Sequence, residues 1–129
     1  MTVRKTYLIH EGSNNEGAIQ FTLTTAPEGQ WQPANRVITD SDEMAFIYVI
    51  DENDAFSYFV FQQSSWDALV QMIQQEQDPA VVIGEEAITL TGMFEELQAL
   101  LFNIEGNSNY GEAFVTAVEE AFSAILAEA

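Results

Sequence analysis

The chain has 129 residues, of which 21 are Asp or Glu and only 3 are Lys or Arg, giving a formal net charge of −18. That length suits one domain over residues 1–129 with a single substantial core, and 47% hydrophobic with 12% aromatic residues describe a folded globule, not an acidic tail. Such a charge disfavours direct binding to DNA, RNA or an anionic membrane surface, because almost nothing is present to neutralise phosphates.

The charge is unevenly placed. Arg4, Lys5 and Arg36 are balanced by Glu11, Glu16 and Glu28 within the first 36 positions, so residues 37–129 hold the other 18 acids and no Lys or Arg. No apolar run approaches the roughly 20 residues of a membrane helix, and no apolar segment with a cleavage site follows the N-terminal basic pair. There is no cysteine, which removes disulfides and thiolate metal sites and fits a cytoplasmic protein.

In chain order, Thr2–His10 is expected as a first strand with Val3, Tyr7 and Ile9 on one face. Glu11–Gly17 has turn chemistry. Ala18–Thr25 alternates Ile19, Phe21 and Leu23 with polar residues, as a second strand does. Ala26–Pro33 is expected as a loop and Arg36–Thr39 as a short strand before the acidic turn Asp40–Glu43. Met44–Phe61 then forms the centre of the sheet. Two apolar runs flank Asp51-Glu52-Asn53-Asp54, the pattern of an antiparallel hairpin. Phe46, Tyr48 and Ile50 share one face of the first run, and Ala45, Ile47 and Val49 share the other. Both faces therefore need cover, from helices, from closure of the sheet on itself or from a second subunit in a homodimer.

After Phe61 the period changes from 2 to 3.6. Ser64 is expected to cap a helix, with Asp67 at the capping-box position and Trp66, Leu69, Val70 and Ile73 as its buried stripe. Asp78-Pro79 ends it. Ala80–Ile83 and Ala87–Leu90 are expected as a second hairpin. A helix opening at Thr91 or Gly92 buries Phe94, Leu97, Leu100, Leu101 and Ile104. Glu105–Ser108 breaks it, with Gly106 supplying a positive φ. Asn109 and Glu112 are expected to cap the last helix, Tyr110–Leu126, whose apolar side is Phe114, Val118, Ala121, Phe122 and Ile125. The order is βββββ-α-ββ-αα, an α+β fold in which an antiparallel sheet carries layered helices.

Candidate chemistry is sparse. His10 is the only histidine, and no cysteine or serine motif accompanies it; a surface position at a strand end explains it as well. Asp40 and Asp42, and Asp51 and Asp54, are candidates for a divalent cation, but neither turn has the spacing of an EF-hand loop, and Asp is favoured in turns anyway. Adjacent pairs such as Glu95-Glu96 and Glu119-Glu120 do not face each other on a helix and read as solvated faces. No phosphate-binding, dinucleotide, serine-nucleophile or zinc motif is present, so no cofactor is implied and no residue set recommends an enzyme. Asn107, Asn109 and Tyr110 form the most distinctive polar stretch, a candidate surface for a ligand or partner; its structural alternative is a helix–helix turn.

The segments Asp40-Ser41-Asp42 with Ala45-Phe46-Ile47-Tyr48, Phe94-Glu95-Glu96-Leu97, Asn103 to Glu112 and Val118-Glu119 resemble the YjbL-like family of small acidic cytosolic proteins of Bacillus and its relatives. The likeness spans roughly residues 36–122 and implies a cytosolic Firmicute protein of no established activity, so it transfers no functional residue.

Three functional readings follow. In the first, a small interaction or scaffold protein meets a basic protein partner through its acidic surface. Nucleic-acid mimicry is a variant of it, opposed by spacing: Glu112 and Glu119 on one helix lie about 10 Å apart, against a phosphate every 3.4 Å or so on a DNA strand. The second is a small-ligand binder or enzyme with a pocket near residues 106–111. The third makes the acidity an adaptation of the host cytoplasm.

Overall fold

The computed structural model describes residues 5–15, 17–25, 27, 30–52 and 54–127. The expected Val3 contact and the start of the first strand lie outside them. Seven strands are present among these residues: β1 (Thr6–Asn15), β2 (Ala18–Leu23), β3 (Trp31–Asp40), β4 (Ala45–Glu52), β5 (Ala55–Gln62), β6 (Ala80–Ile83) and β7 (Glu86–Thr89). Four helices accompany them: α1 (Trp66–Gln75), α2 (Met93–Ile104), α3 (Glu112–Ala121) and α4 (Ser123–Leu126). Short 3-10 turns at Gln63–Ser65 and Ser108–Tyr110 precede α1 and α3.

The expected element order and the α+β class hold, but the sheet is not purely antiparallel. Its strand order is β3-β4-β5-β1-β2-β6-β7, and it curls into a half-barrel. Strands adjacent in sequence that pair, namely β1/β2, β3/β4, β4/β5 and β6/β7, do so antiparallel. The two seams between these modules, β5/β1 and β2/β6, are parallel. A hairpin turn forces the antiparallel sense on its own two strands; nothing local specifies how separate hairpins meet.

Two strands outrun their expected bounds. β1 continues through Glu11–Asn15, where turn chemistry was expected, and a register shift lies between Ile9 and Glu11. Gly12 in this stretch is needed for close packing. A Cβ there would sit 2.6 Å from the Phe21 ring and 2.8 Å from the Ala68 methyl. β3 begins at Trp31 and carries Pro33 inside it. As an edge strand with a register shift between Pro33 and Arg36, it tolerates the missing N–H. The central hairpin is tighter than expected: β4 and β5 pair to Glu52–Ala55, and Asp54 takes φ 63° in the turn.

All four helices contribute to one core on one side of the sheet. Phe46, Tyr48, Ile50, Phe59 and Phe61 line that side, the first three sharing one face as the alternation predicts. Phe46, Trp66, Phe114 and Phe122 form an aromatic cluster with ring centroids 5.3–6.2 Å apart, joining β4, α1 and α3. The Trp66 indole N–H donates to the Phe61 carbonyl at 3.0 Å, so its polar atom is satisfied inside the core. The single expected last helix is broken at Phe122, which leaves the helical region at φ −107°, ψ 23° while its ring packs into this cluster.

The opposite sheet face carries a smaller cluster of Ala45, Ile47 and Val60, flanked by Ile38 and Tyr58. Ile47 is 1% exposed within the single chain, whereas Leu8 and Phe56 are 43% and 58% exposed. The middle of this face is thus out of water without a second subunit.

Candidate functional site

The junction between α2 and α3 is built from short-range polar contacts. Gly106 turns the chain at φ 68°, and the Asn107 N–H donates to the Ile104 carbonyl at 2.9 Å. The Asn107 side chain then works in both directions. Its Oδ1 accepts the Asn109 N–H at 3.1 Å, and its Nδ2 donates to the Asn103 carbonyl at 3.3 Å. Tyr110 lies back on α2, its hydroxyl 3.3 Å from Asn103 Oδ1. The capping role expected of Asn109 with Glu112 is therefore not what forms: Asn107 caps the 3-10 turn, and Gly111, at φ 94°, occupies the N-cap of α3. Asn109 is exposed, while Asn107 and Tyr110 are half-buried.

Beside this junction runs a groove of about 300 Å³, walled by Gly106, Ser108, Glu112, Val115, Thr116 and Glu119. Glu119 is tied to the junction, its Oε2 accepting the Gly106 N–H at 2.9 Å. The three sequence candidates Asn107, Asn109 and Tyr110 stand next to this groove, outside its wall.

The acidic turns fall at opposite ends of β4. At one end Asp40 Oδ1 accepts the Glu43 N–H at 3.3 Å, a contact that organises the turn itself. At the other, Asp51 and Asp54 line a concavity of about 310 Å³ with Gln30, Trp31 and Gln32. Among the described residues no three His, Cys, Asp or Glu side chains are placed to hold a metal ion together. His10 is exposed, with Nε2 3.7 Å from Glu11 Oε2.

One cluster was not anticipated. Glu52, read from sequence as part of an acidic hairpin turn, is 3% exposed. The Tyr7 hydroxyl donates to it (2.9 Å to Oε1, 3.1 Å to Oε2), Ser57 Oγ donates to Oε1 at 2.9 Å, and Lys5 Nζ lies 3.2 Å from Oε2. Burial pushes the Glu52 carboxyl up, but the bonds from Ser57, Tyr7 and Lys5, with the Lys5 charge, outweigh it and the net shift is downward. Tyr7 is pushed up, first by burial. Lys5 is raised by its contacts with the Tyr7 hydroxyl and the Glu52 carboxylate. Both carboxylate oxygens accept hydrogen bonds from groups on β1, β5 and the residue before β1, so the cluster reads as a clasp between β1 and the central hairpin. The available signal was register: Glu52 continues the inward-facing set of Phe46, Tyr48 and Ile50.

This is a small α+β protein with one principal core, an acidic helical layer and a clasp around a buried carboxylate. It belongs to the family described as "Family of unknown function (UPF0738)", whose model matches residues 7–122. Its relatives include a UPF0738 protein of Lysinibacillus sphaericus (strain C3-41), 42% identical over 127 residues that cover 98% of this chain and all of that one. The UPF0738 protein YjbL of Bacillus subtilis (strain 168) is 34% identical over 77% of this chain and 81% of its own. A UPF0738 protein of Shouchella clausii (strain KSM-K16) is 42% identical over 70% of this chain and 74% of its own. No solved structure matches the chain at a significant level.

Proposed function

We propose that the protein is a small cytoplasmic interaction protein whose helical layer docks a basic protein partner. The observation that supports this is charge of one sign on one layer. Glu95, Glu96, Glu105, Glu112 and Glu120 are exposed on α2, α3 and the junction between them. No Lys or Arg occurs anywhere from residue 37 onward to neutralise them. Such a field steers a cationic surface toward it and repels nucleic acid.

The test is capture from a native lysate on the immobilised chain at about 0.01 M and about 0.15 M ionic strength, where the Debye length falls from about 30 to about 8 Å. A basic protein should be retained at the lower strength and weakened at the higher. It should be lost when Glu95, Glu96, Glu112 and Glu120 are all changed to Gln. Capture indifferent to both salt and these substitutions would defeat the reading. A second reading, a small-ligand site at the junction, is supported by the groove beside Asn107, Asn109 and Tyr110. It predicts shifts of those three amide signals on ligand addition, with the α2 acids unaffected.

A further inference from the structure

The groove beside the junction combines an apolar floor with carboxylates. Glu112, Val115, Thr116 and Glu119 occupy positions i, i+3, i+4 and i+7 of α3 and so share one face. The two carboxylates are spaced about 10 Å along the axis at 1.5 Å per residue. Between them Val115, only 7% exposed, gives an apolar floor, and Ser108 and Gly106 form the facing wall. Glu119 is held in place through Oε2 by the Gly106 N–H. The Glu112 carboxylate is exposed and makes no hydrogen bond or ion pair with a described residue.

An apolar floor with a carboxylate at each end complements one kind of side chain, a long aliphatic stem bearing a cationic head. A guanidinium adds two-point geometry against a carboxylate. We propose that this groove is the anchor site for a lysine or arginine side chain of the basic partner. The proposal rests on the acidic-face reading and adds to it a location: the partner's specificity is set at α3, and the α2 acids supply only the surrounding field.

The experiment is fluorescence anisotropy with a labelled oligo-arginine peptide at about 0.01 M and about 0.15 M ionic strength. Three variants are compared with the unmodified chain. Glu112→Gln removes one end charge isosterically at an exposed position. Thr116→Trp fills the groove from an exposed position and leaves every charge in place. Glu95→Gln removes an α2 charge away from the groove. The first two should each weaken binding about tenfold, the weight of one charge-assisted contact. Glu95→Gln should cost less than about twofold, as an exposed charge at a distance does. If Thr116→Trp binds like the unmodified chain, or Glu95→Gln costs as much as Glu112→Gln, the anchor is overturned while the acidic-face reading survives. If the unmodified chain binds no peptide at either ionic strength, the acidic-face reading falls and the anchor falls with it. Should Thr116→Trp fail to fold, the comparison of Glu112→Gln with Glu95→Gln still decides.

Discussion

Glu52 shows how a single side chain changes meaning with its surroundings. In the sequence it is one of four polar residues at a hairpin tip; in the fold it is the acceptor for Tyr7, Ser57 and Lys5. Replacing it with Ala leaves two hydroxyls beside a void in a buried place, and Glu52→Ala should destabilise the protein by about 2–3 kcal/mol in a denaturant titration. The pH dependence has a definite sign. The folded carboxyl titrates below its ordinary value of 4.5, so its stabilisation is complete above that value and is lost as pH falls through the folded pKa. The stability advantage of the unmodified chain over Glu52→Gln should therefore be full at neutral pH and shrink below 4.5. An advantage that stays constant into acid would mean that the clasp works by shape and not by charge.

At the scale of the element, the helix ends separate local from tertiary control. Ser64 and Asp67 have the spacing of a capping box, yet a 3-10 turn occupies Gln63–Ser65, and α1 opens without a side-chain cap. Ser65 Oγ instead donates back to the Gln62 carbonyl at 2.7 Å. The start of α2 is capped from a distance. Asp78, 14 residues upstream of Gly92, accepts the Gly92 N–H at 3.0 Å and the Phe94 N–H at 2.9 Å. Asp78 was legible only as the end of α1; that it crosses the β6–β7 hairpin to cap α2 depends on how that hairpin folds. Asp78→Ala should lower stability by about 1–2 kcal/mol, and Asp67→Ala should change it by less than about 0.5 kcal/mol. The reverse ranking in thermal melts would restore the local capping box.

At the scale of the whole molecule, like charges oppose compaction. Residues 37–129 carry 18 acids and no Lys or Arg, and folding brings those acids closer together than the expanded chain does. Each exposed pair is worth about 1 kcal/mol or less at contact in water, but the long-range sum is what salt screens. The thermal midpoint should rise as NaCl goes from about 0.01 M to about 0.15 M. A flat or falling midpoint would show that the carboxylates are dispersed well enough to ignore one another. A large extra gain from millimolar calcium or magnesium at matched ionic strength would point back to the turns at Asp40 and Asp42, or Asp51 and Asp54. Assembly belongs to this scale too. With Ala45 and Ile47 already buried in one chain, sedimentation at micromolar concentration should give the monomer mass. A dimer would place Leu8 and Phe56 at its interface, because they are the large apolar side chains left in water near that face.

Sequence periodicity by itself determined which residues share a face. The period of 2 in Ala45–Ile50 assigned Phe46, Tyr48 and Ile50 to one side, and the period of 3.6 in α1, α2 and α3 picked out Leu69, Leu97, Leu101, Phe114 and Val118, all buried. Both follow from backbone geometry, which fixes side-chain direction locally. The junction turn at Gly106 was equally legible, because φ above zero favours glycine whatever surrounds it. Only the tertiary structure decided the parallel seams β5/β1 and β2/β6, the remote cap from Asp78 and the joining of Glu52 to Tyr7 and Lys5. Each is a contact between segments far apart in the chain, and alternation specifies a face without naming the neighbour across it. The groove on α3 is of the same kind. Its Glu112–Glu119 stripe was visible as a spacing, but the wall that makes it a groove comes from Gly106 and Ser108, brought there by a turn whose bonds the sequence did not disclose.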